Sequence, residues 1–447
     1  MKSSNVLRVR TLALAIAIGT GGPATAVWAD ELQDLKAQIE ALQKKVGDLE
    51  RKQETAEKKL AVAAPDNVVT GGATKGSFKL PGSNTSVTVG GYVKLDAVFS
   101  NPSAGVDTKA DLFLDPTAIA VGPTAGNNER NQVKFGARES RLFVKTNTPT
   151  SMGDLNTHVE FDFYGADGNE SVSNSHGFRL RHAYGTLGNL LAGQTWTNFM
   201  NPASLPDTLD FGGPVGQIFD RQAQVRWTQP FGGSGSTTSG QWSLGLENPE
   251  TVVQIPGGAS FRADDDRFPD ITGQVAFNTS IGKISVHGIV RQIRIDSAAA
   301  PAAVSDKWGG AVSVAGVIPT VGRDDFRFTA SAGNAIGRYS DGFFPDGVVG
   351  TDGQIRLPKQ WGWFAAYRHY WFDQLRSSLV LSTASENNPA GAPANTNKST
   401  ASAHLNLIWS PVANSDLGVE YIYADRKTED VLKGHLNRLQ ASAKYAF

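Results

Sequence analysis

From residue 85 to the end of the chain, apolar and polar residues alternate in short segments separated by clusters of Gly, Pro, Asn and Asp. Val87, Val89, Val93, Leu95, Ala97 and Phe99 interleave with Thr88, Lys94, Asp96 and Ser100. Leu155, Val159, Phe161 and Phe163 interleave with His158, Glu160 and Asp162, and the same period runs through 402–409 and 416–423. A period of two is that of a strand with one apolar face. Extended over the region, it predicts roughly sixteen segments of about ten residues, the length of a tilted membrane-spanning strand. Short bridges (Gly188-Asn189, Pro411 to Ser415) alternate with long ones (101–131, 250–267, 335–358, 386–399), as in a barrel with turns at one end and loops at the other. The expected fold is all-β, a 16-stranded antiparallel transmembrane β-barrel.

Residues 30–60 follow another period. Leu32, Ile39, Val46, Gln53 and Leu60 take position a of a heptad, and Leu35, Leu42, Leu49 and Ala56 take d. This predicts a helix with a coiled-coil seam, and β-branched residues at a with Leu at d lean toward two strands. A lone amphipathic helix is the simpler alternative. Residues 61–84, rich in Ala, Gly, Pro, Ser and Thr, are expected to be a linker. Residues 1–29 have the order of a signal peptide: basic Lys2, Arg8 and Arg10, an apolar core from Thr11 to Gly19, then small residues ending at Ala29, the favoured cleavage point. The apolar run is too short for a spanning helix, which needs about 20 residues.

Composition narrows the picture. The 447 residues include no Cys, which excludes disulfides, thiolate metal sites and Cys nucleophiles. Without residues 1–29 the chain keeps 39 basic against 43 acidic residues, a formal charge of −4, so nothing suggests nucleic-acid binding. A soluble β-sandwich or propeller would also alternate. It would not gather Trp227, Trp361, Trp363, Trp409, Tyr421, Tyr423 and Tyr445 in the apolar phase near strand ends, as an interfacial girdle does. In the last segment Leu439, Ala441, Ala443, Tyr445 and Phe447 share one face. The seven His show no metal spacing, no Ser/His/Asp set is discernible, and no cofactor or enzyme activity is expected.

The chain resembles the DcaP-like group of trimeric porins. The resemblance rests on Gly90-Gly91-Tyr92-Val93-Lys94-Leu95-Asp96, Glu139-Ser140-Arg141-Leu142-Phe143-Val144-Lys145, Leu180-Arg181-His182-Ala183-Tyr184-Gly185, and Ala192-Gly193-Gln194-Thr195-Trp196 running into Asn201-Pro202. It covers essentially the whole chain after the signal segment. It implies a homotrimer of barrels, a periplasmic N-terminal coiled coil, and passage of small anions such as dicarboxylates. In that case the residues at a and d do not decide the number of helices.

A channel needs a constriction. The third long connection, about 199–220, is expected to fold into the barrel, because Leu205, Leu209, Phe211, Val215 and Ile218 need a surface to pack on. Its acids Asp207 and Asp210 would then face the pore. A lid or a subunit-contact loop is the alternative. Alternation assigns Arg141, Lys145, Arg179, Arg181, Arg226, Arg327 and Arg368 to the lumen, with Arg376, Arg438 and Lys444. Facing them are Glu139, Glu160, Asp162 and Glu247, along with Asp96 and Glu420. Arg141, Arg179, Arg181, Arg226 and Arg327 would form an anion-binding ladder under a transverse field, or the charges would only brace the wall through ion pairs. The expected function is passive diffusion of small hydrophilic solutes through the outer membrane, among lipid and lipopolysaccharide. The alternative is a structural protein tethered to periplasmic partners or peptidoglycan through the heptads.

Overall fold

The computed structural model describes residues 36–53, 55, 69–102, 112–123, 130–169, 171–233, 238–263, 265–297 and 303–447. The signal segment 1–29 and heptad positions Leu32, Leu35, Ala56 and Leu60 lie outside the described residues. Two units are distinct, one up to Val68 and one from Val69.

In the first unit residues 36–53 are helical. Ile39, Leu42, Val46 and Leu49 are exposed along one face of that helix. Their spacing of three and four residues puts them in one stripe. No helix among the described residues is long and apolar enough to cross a membrane, which leaves strand-built spans open.

The second unit is a closed barrel of sixteen antiparallel strands. They are β1 (Ser86–Ser100), β2 (Gln132–Gly136 continued by Arg141–Thr150), β3 (Gly153–Asn169), β4 (Ser175–Leu187), β5 (Leu190–Trp196), β6 (Arg221–Phe231), β7 (Ser239–Glu247) and β8 (Asp270–Thr279). There follow β9 (Gly282–Ser297), β10 (Ala303–Pro319), β11 (Asp325–Gly333), β12 (Lys359–Phe372), β13 (Leu375–Asn387), β14 (Asn397–Trp409), β15 (Ser415–Thr428) and β16 (Lys433–Ala446). Each strand pairs with its chain neighbours, and β16 pairs back onto β1, with Leu439 opposite Phe99. Phe447 completes the closure: its N–H donates to the Gly91 carbonyl at 3.0 Å and its carbonyl accepts from the Gly91 N–H at 3.2 Å. Closure leaves no unpaired edge, a requirement in hydrocarbon.

Side chains sort as alternation requires. Val93, Leu95 and Phe99 are exposed on the outer face of β1, while Lys94, Asp96 and Val98 are buried inside. Trp227, Trp361, Trp363, Trp409, Tyr421, Tyr423 and Tyr445 are all exposed on the outer face. The expected linker differs from the sequence reading. Within 61–84, Thr70–Gly71 pairs with Phe78–Lys79, and Phe78 pairs with Val87 of β1. The connection is thus partly a ribbon laid against the barrel sheet, as backbone hydrogen bonding outweighs a weak local propensity.

Short turns such as 151–152, 188–189, 280–281 and 373–374 sit at one end, the periplasmic end of such barrels. At the other end, segments Thr251–Gln254 and Ser260–Ala263 join Gly347–Val349 and Ile355–Arg356 in a separate four-stranded sheet. Its apolar face, with Val253, Val349 and Ile355, packs on Ile293 and Ile295 of β9.

The connection between β5 and β6, 197–220, lies inside the barrel. Its apolar residues gain a core there: Phe199, Met200 and Ile218 pack on Ile289, Ile336 and Tyr339, and Val215 packs on Ile422 and Leu114. A loop has no ladder partners, so its backbone groups need others. The wall supplies them. Glu247 accepts from Asn198 N–H at 2.7 Å, and Glu420 accepts from Leu209 N–H at 2.8 Å and Asp210 N–H at 3.2 Å. Lys94 donates to the Leu209 carbonyl at 2.6 Å, and Arg327 to the Leu205 carbonyl at 2.7 Å. At Gly216 a Cβ would lie 2.2 Å from the Trp363 carbonyl oxygen, so glycine lets the loop press directly on the β12 backbone.

Losing one buried partner leaves a donor unsatisfied at a cost of about 1–3 kcal/mol. In Glu420→Ala two loop amides lose their acceptor. Hydrogen exchange of the 205–215 segment should accelerate roughly tenfold or more while exchange of the β15–β16 ladder stays slow. Unchanged protection in 205–215 would refute the tether.

Candidate functional site

The site begins with an irregularity between β3 and β4. His182 pairs with Glu160 and Leu180 with Phe161, so Arg181 is an extra residue on β4. A bulge of this kind re-aims side chains. Arg179 faces inward opposite Asp162, Leu180 faces out, and Arg181 and His182 are both buried inside. Arg179 grips Asp162 with two bonds, Nε to Oδ1 at 2.9 Å and Nη2 to Oδ2 at 2.6 Å. Arg181 bridges Glu160 Oε1 at 2.7 Å and Asp162 Oδ2 at 2.9 Å. From β2, Arg141 comes no nearer than 3.8 Å to Glu160, and its Nε is buried without a hydrogen-bond partner. From the start of β6, Arg221 makes no ion pair among the described residues, and its Nη1 is buried without a partner. Three guanidinium groups therefore share two carboxylates, and a fourth stands without an ion pair among the described residues.

Aromatic rings hold this excess. Phe211, at the tip of the inward loop, lies 6.0 Å from the Arg141 guanidinium, 5.1 Å from that of Arg179 and 5.6 Å from that of Arg181. Arg221 lies over Trp196 at 4.6 Å and Phe219 at 5.7 Å. A ring face attracts a cation without using its N–H donors; Arg179 and Arg181 spend theirs on Asp162 and Glu160, whereas Arg141 and Arg221 keep donors without a partner. Beside them is a cavity of about 190 Å3, lined by Arg141, Arg181, Trp196, Phe211, Gln217 and Phe219 and also touched by Glu139 and Asp210. Planar forks of this kind suit two-point contact with a carboxylate.

The remaining expected residues divide into groups. Arg327 and Arg368 bind Asp325, while Arg376 binds Asp207 at 2.6 Å and Asp416 at 3.1 Å. Lys444 lies 3.8 Å from Asp416, and Arg438 donates to Ser100. Arg327, Arg368, Arg376 and Lys444 belong to a second cluster on β11 to β16, so Arg327 does not continue the run of Arg141, Arg179 and Arg181. Lys145 and Arg226 lie further toward the short-turn end of β2 and β6. Glu139 is paired with Lys94, and Asp96 lies 3.3 Å from Lys94.

The expectation that acids face the arginines across the lumen needs correction. Glu160 and Asp162 sit on the strand next to Arg179 and Arg181, within hydrogen-bond reach on the same wall. Strand pairing brings inward residues of neighbouring strands together, and a buried charge is stable only beside its partner. Glu247 and Glu420 are engaged by loop amides, as described above. Asp210 does not present a free carboxylate: it accepts from Leu114 N–H and Gly213 N–H, both at 2.8 Å. Burial pushes that carboxyl up to about 6. Asp207 does reach the wall, but as the partner of Arg376.

Arg221 was not legible by alternation. It shares the phase of Val225 and Trp227, both exposed on the outer face, yet as the first residue after the inward loop it lies over interior rings. Its adjacency to the loop was the only available signal. Phe211 could have been singled out as the one ring at the loop's centre.

Comparisons with known proteins bear on the fold. No curated protein matches the chain. Among solved structures, the outer membrane channel DcaP of Acinetobacter baumannii is 24% identical with a TM-score of 0.70, over 85% of this chain and 100% of that one. The anion-selective porin of Comamonas acidovorans is 12% identical with a TM-score of 0.50, over 81% and 100%. OmpT of Vibrio cholerae, in its trimer form, is 12% identical with a TM-score of 0.50, over 81% and 99%. These likenesses concern the fold. The model of the DcaP outer membrane protein family matches residues 35–447, so the chain belongs to that family and is a porin-type β-barrel channel of the bacterial outer membrane.

Proposed function

We propose that this channel passes small hydrophilic solutes by diffusion and favours anions, small carboxylates among them. One observation carries the reading: Arg141, Arg179, Arg181 and Arg221 converge beside the inward loop, and among the described residues the carboxylates that ion-pair with them are Glu160 and Asp162. A permeating carboxylate exchanges hydration water for the unpaired donors of Arg141 and Arg221, and the aromatic rings hold the guanidinium groups in place. The local excess matters more than the chain's formal charge of −1, because charges beyond a Debye length of about 8 Å are screened.

A guanidinium about 8 Å from a permeating ion in an aqueous lumen contributes about 0.5 kcal/mol. Replacing Arg141 and Arg221 by Ala should therefore lower the chloride-to-potassium permeability ratio roughly fivefold or more, read from the zero-current potential across a salt gradient. A cation-selective wild type, or an unchanged ratio in the variant, would sink the proposal.

The helix supports a second element of the reading. Its stripe of Ile39, Leu42, Val46 and Leu49 is exposed and suits self-association with the helices of further copies. We read it as the periplasmic coiled coil of a homotrimer. The chain has no native Cys, so a single introduced thiol reports contact directly. Val46→Cys should cross-link copies in the membrane, and Lys44→Cys, on the opposite face, should not. Equal cross-linking at both positions would favour the tether reading over self-association.

A further inference from the structure

We propose a second zone of anion attraction in the lumen, on the short-turn side of the constriction, with Lys145 of β2 and Arg226 of β6 on either side of a wall of hydroxyl and amide donors. It rests on the reading of the channel as anion-favouring and adds a separate step to it.

Strand register places its parts. Lys145 of β2 is opposite His158 of β3, and His158 is opposite Tyr184 of β4. One rung further toward the short turns, Asn147 is opposite Asn156, Asn156 opposite Thr186, Thr186 opposite Leu191, and Leu191 opposite Arg226. Two cations thus flank a row of neutral polar side chains across β2 to β6. Asn147 and Asn156 are tied at 2.8 Å, and His158 lies 3.4 Å from the Tyr184 hydroxyl. These contacts fix the wall while leaving the cations unused.

The cations are free in a way the upper ones are not. Among the described residues neither Lys145 nor Arg226 makes an ion pair or a side-chain hydrogen bond. Lys145 is held only by the Phe143 ring, 4.7 Å from its Nζ. Beside it is a cavity of about 330 Å3, whose lining includes Lys145, Asn147, His158, Tyr184 and Thr186 but not Arg226, which stands across the wall on β6. No carboxylate lines it among the described residues, whereas Glu139 and Asp210 touch the upper cavity. The acids nearest the two cations are engaged elsewhere: Glu160, beside His158, by Arg181, and Glu247, whose charge reaches Arg226, by Asn198 N–H and Thr272.

The two zones are distinct. Lys145 lies four residues beyond Arg141 on one strand, about 14 Å at the usual rise. That exceeds the Debye length of about 10 Å at 0.1 M salt, so each attracts an anion on its own. A small carboxylate leaving the constriction meets a second cationic site before bulk water, and one entering from the periplasmic end meets it first.

The test uses the full-length channel in planar bilayers with potassium acetate at about 0.1 M. Lys145→Gln with Arg226→Gln should cut acetate current at the polarity that drives anions in from the periplasmic end. The cut should be roughly threefold to tenfold, with much less change at the opposite polarity. The resulting rectification should fade at 1 M salt, where screening acts within about 3 Å. Arg141→Gln with Arg221→Gln should lower both polarities alike. Lys145→Arg with Arg226→Lys keeps both charges and should keep the wild-type ratio, which separates charge from loss of fold. Anion selectivity in the wild type with no new rectification in the Gln pair would overturn the second zone alone. A cation-selective wild type would overturn the underlying reading as well.

Discussion

A chain segment folded inside a barrel has backbone N–H and C=O groups with no ladder partners, and the architecture of this lumen follows from satisfying them. Glu247 serves the base of the inward loop and Glu420 its tip, while Asp210 ties the loop to the first long connection through Leu114. Each such carboxylate is held in place by loop amides and is not an ion-pair partner of Arg141, Arg179, Arg181 or Arg221. On the wall from β2 to β6, the guanidinium groups of Arg141, Arg179, Arg181 and Arg221 outnumber the two carboxylates that ion-pair with them, Glu160 and Asp162. Overall charge says little about a pore whose acids and bases are distributed unevenly over its wall.

The excess would be unstable without a second device. Buried like charges repel, and bare desolvation is costly. Here Phe211, Trp196 and Phe219 lie against the guanidinium groups, and the bulge at Arg181 lets Glu160 and Asp162 serve two arginines at once. The loop therefore does more than narrow the lumen. It carries Phe211, the ring around which three arginines gather, so loop position and arginine geometry are coupled.

The loop end of the barrel is braced differently. Arg291 contacts Asp270 and Asp346, Arg338 contacts Asp220 and Asp270, and the four-stranded sheet rests on Ile293 and Ile295. Fully desolvated pairs of this kind add specificity of arrangement more than raw stability. They fix the sheet against the β9 wall, and the wall carrying the open arginines is the one from β2 to β6.

Alternation and length determined the barrel, its sixteen strands, the outward aromatics, the inward loop and most inward charges, because a period of two in a lipid-facing sheet leaves each side chain one choice of face. The heptads determined a helix and its apolar stripe for the same kind of reason. Tertiary structure alone decided what the inward charges do. Pairing across strands put Glu160 and Asp162 beside the arginines instead of opposite them, the bulge turned Arg181 and His182 inward together, and the end of the loop brought Arg221 inside against its phase. Those outcomes depend on which strands are neighbours and where a register slips by one residue, and neither is written in any local pattern.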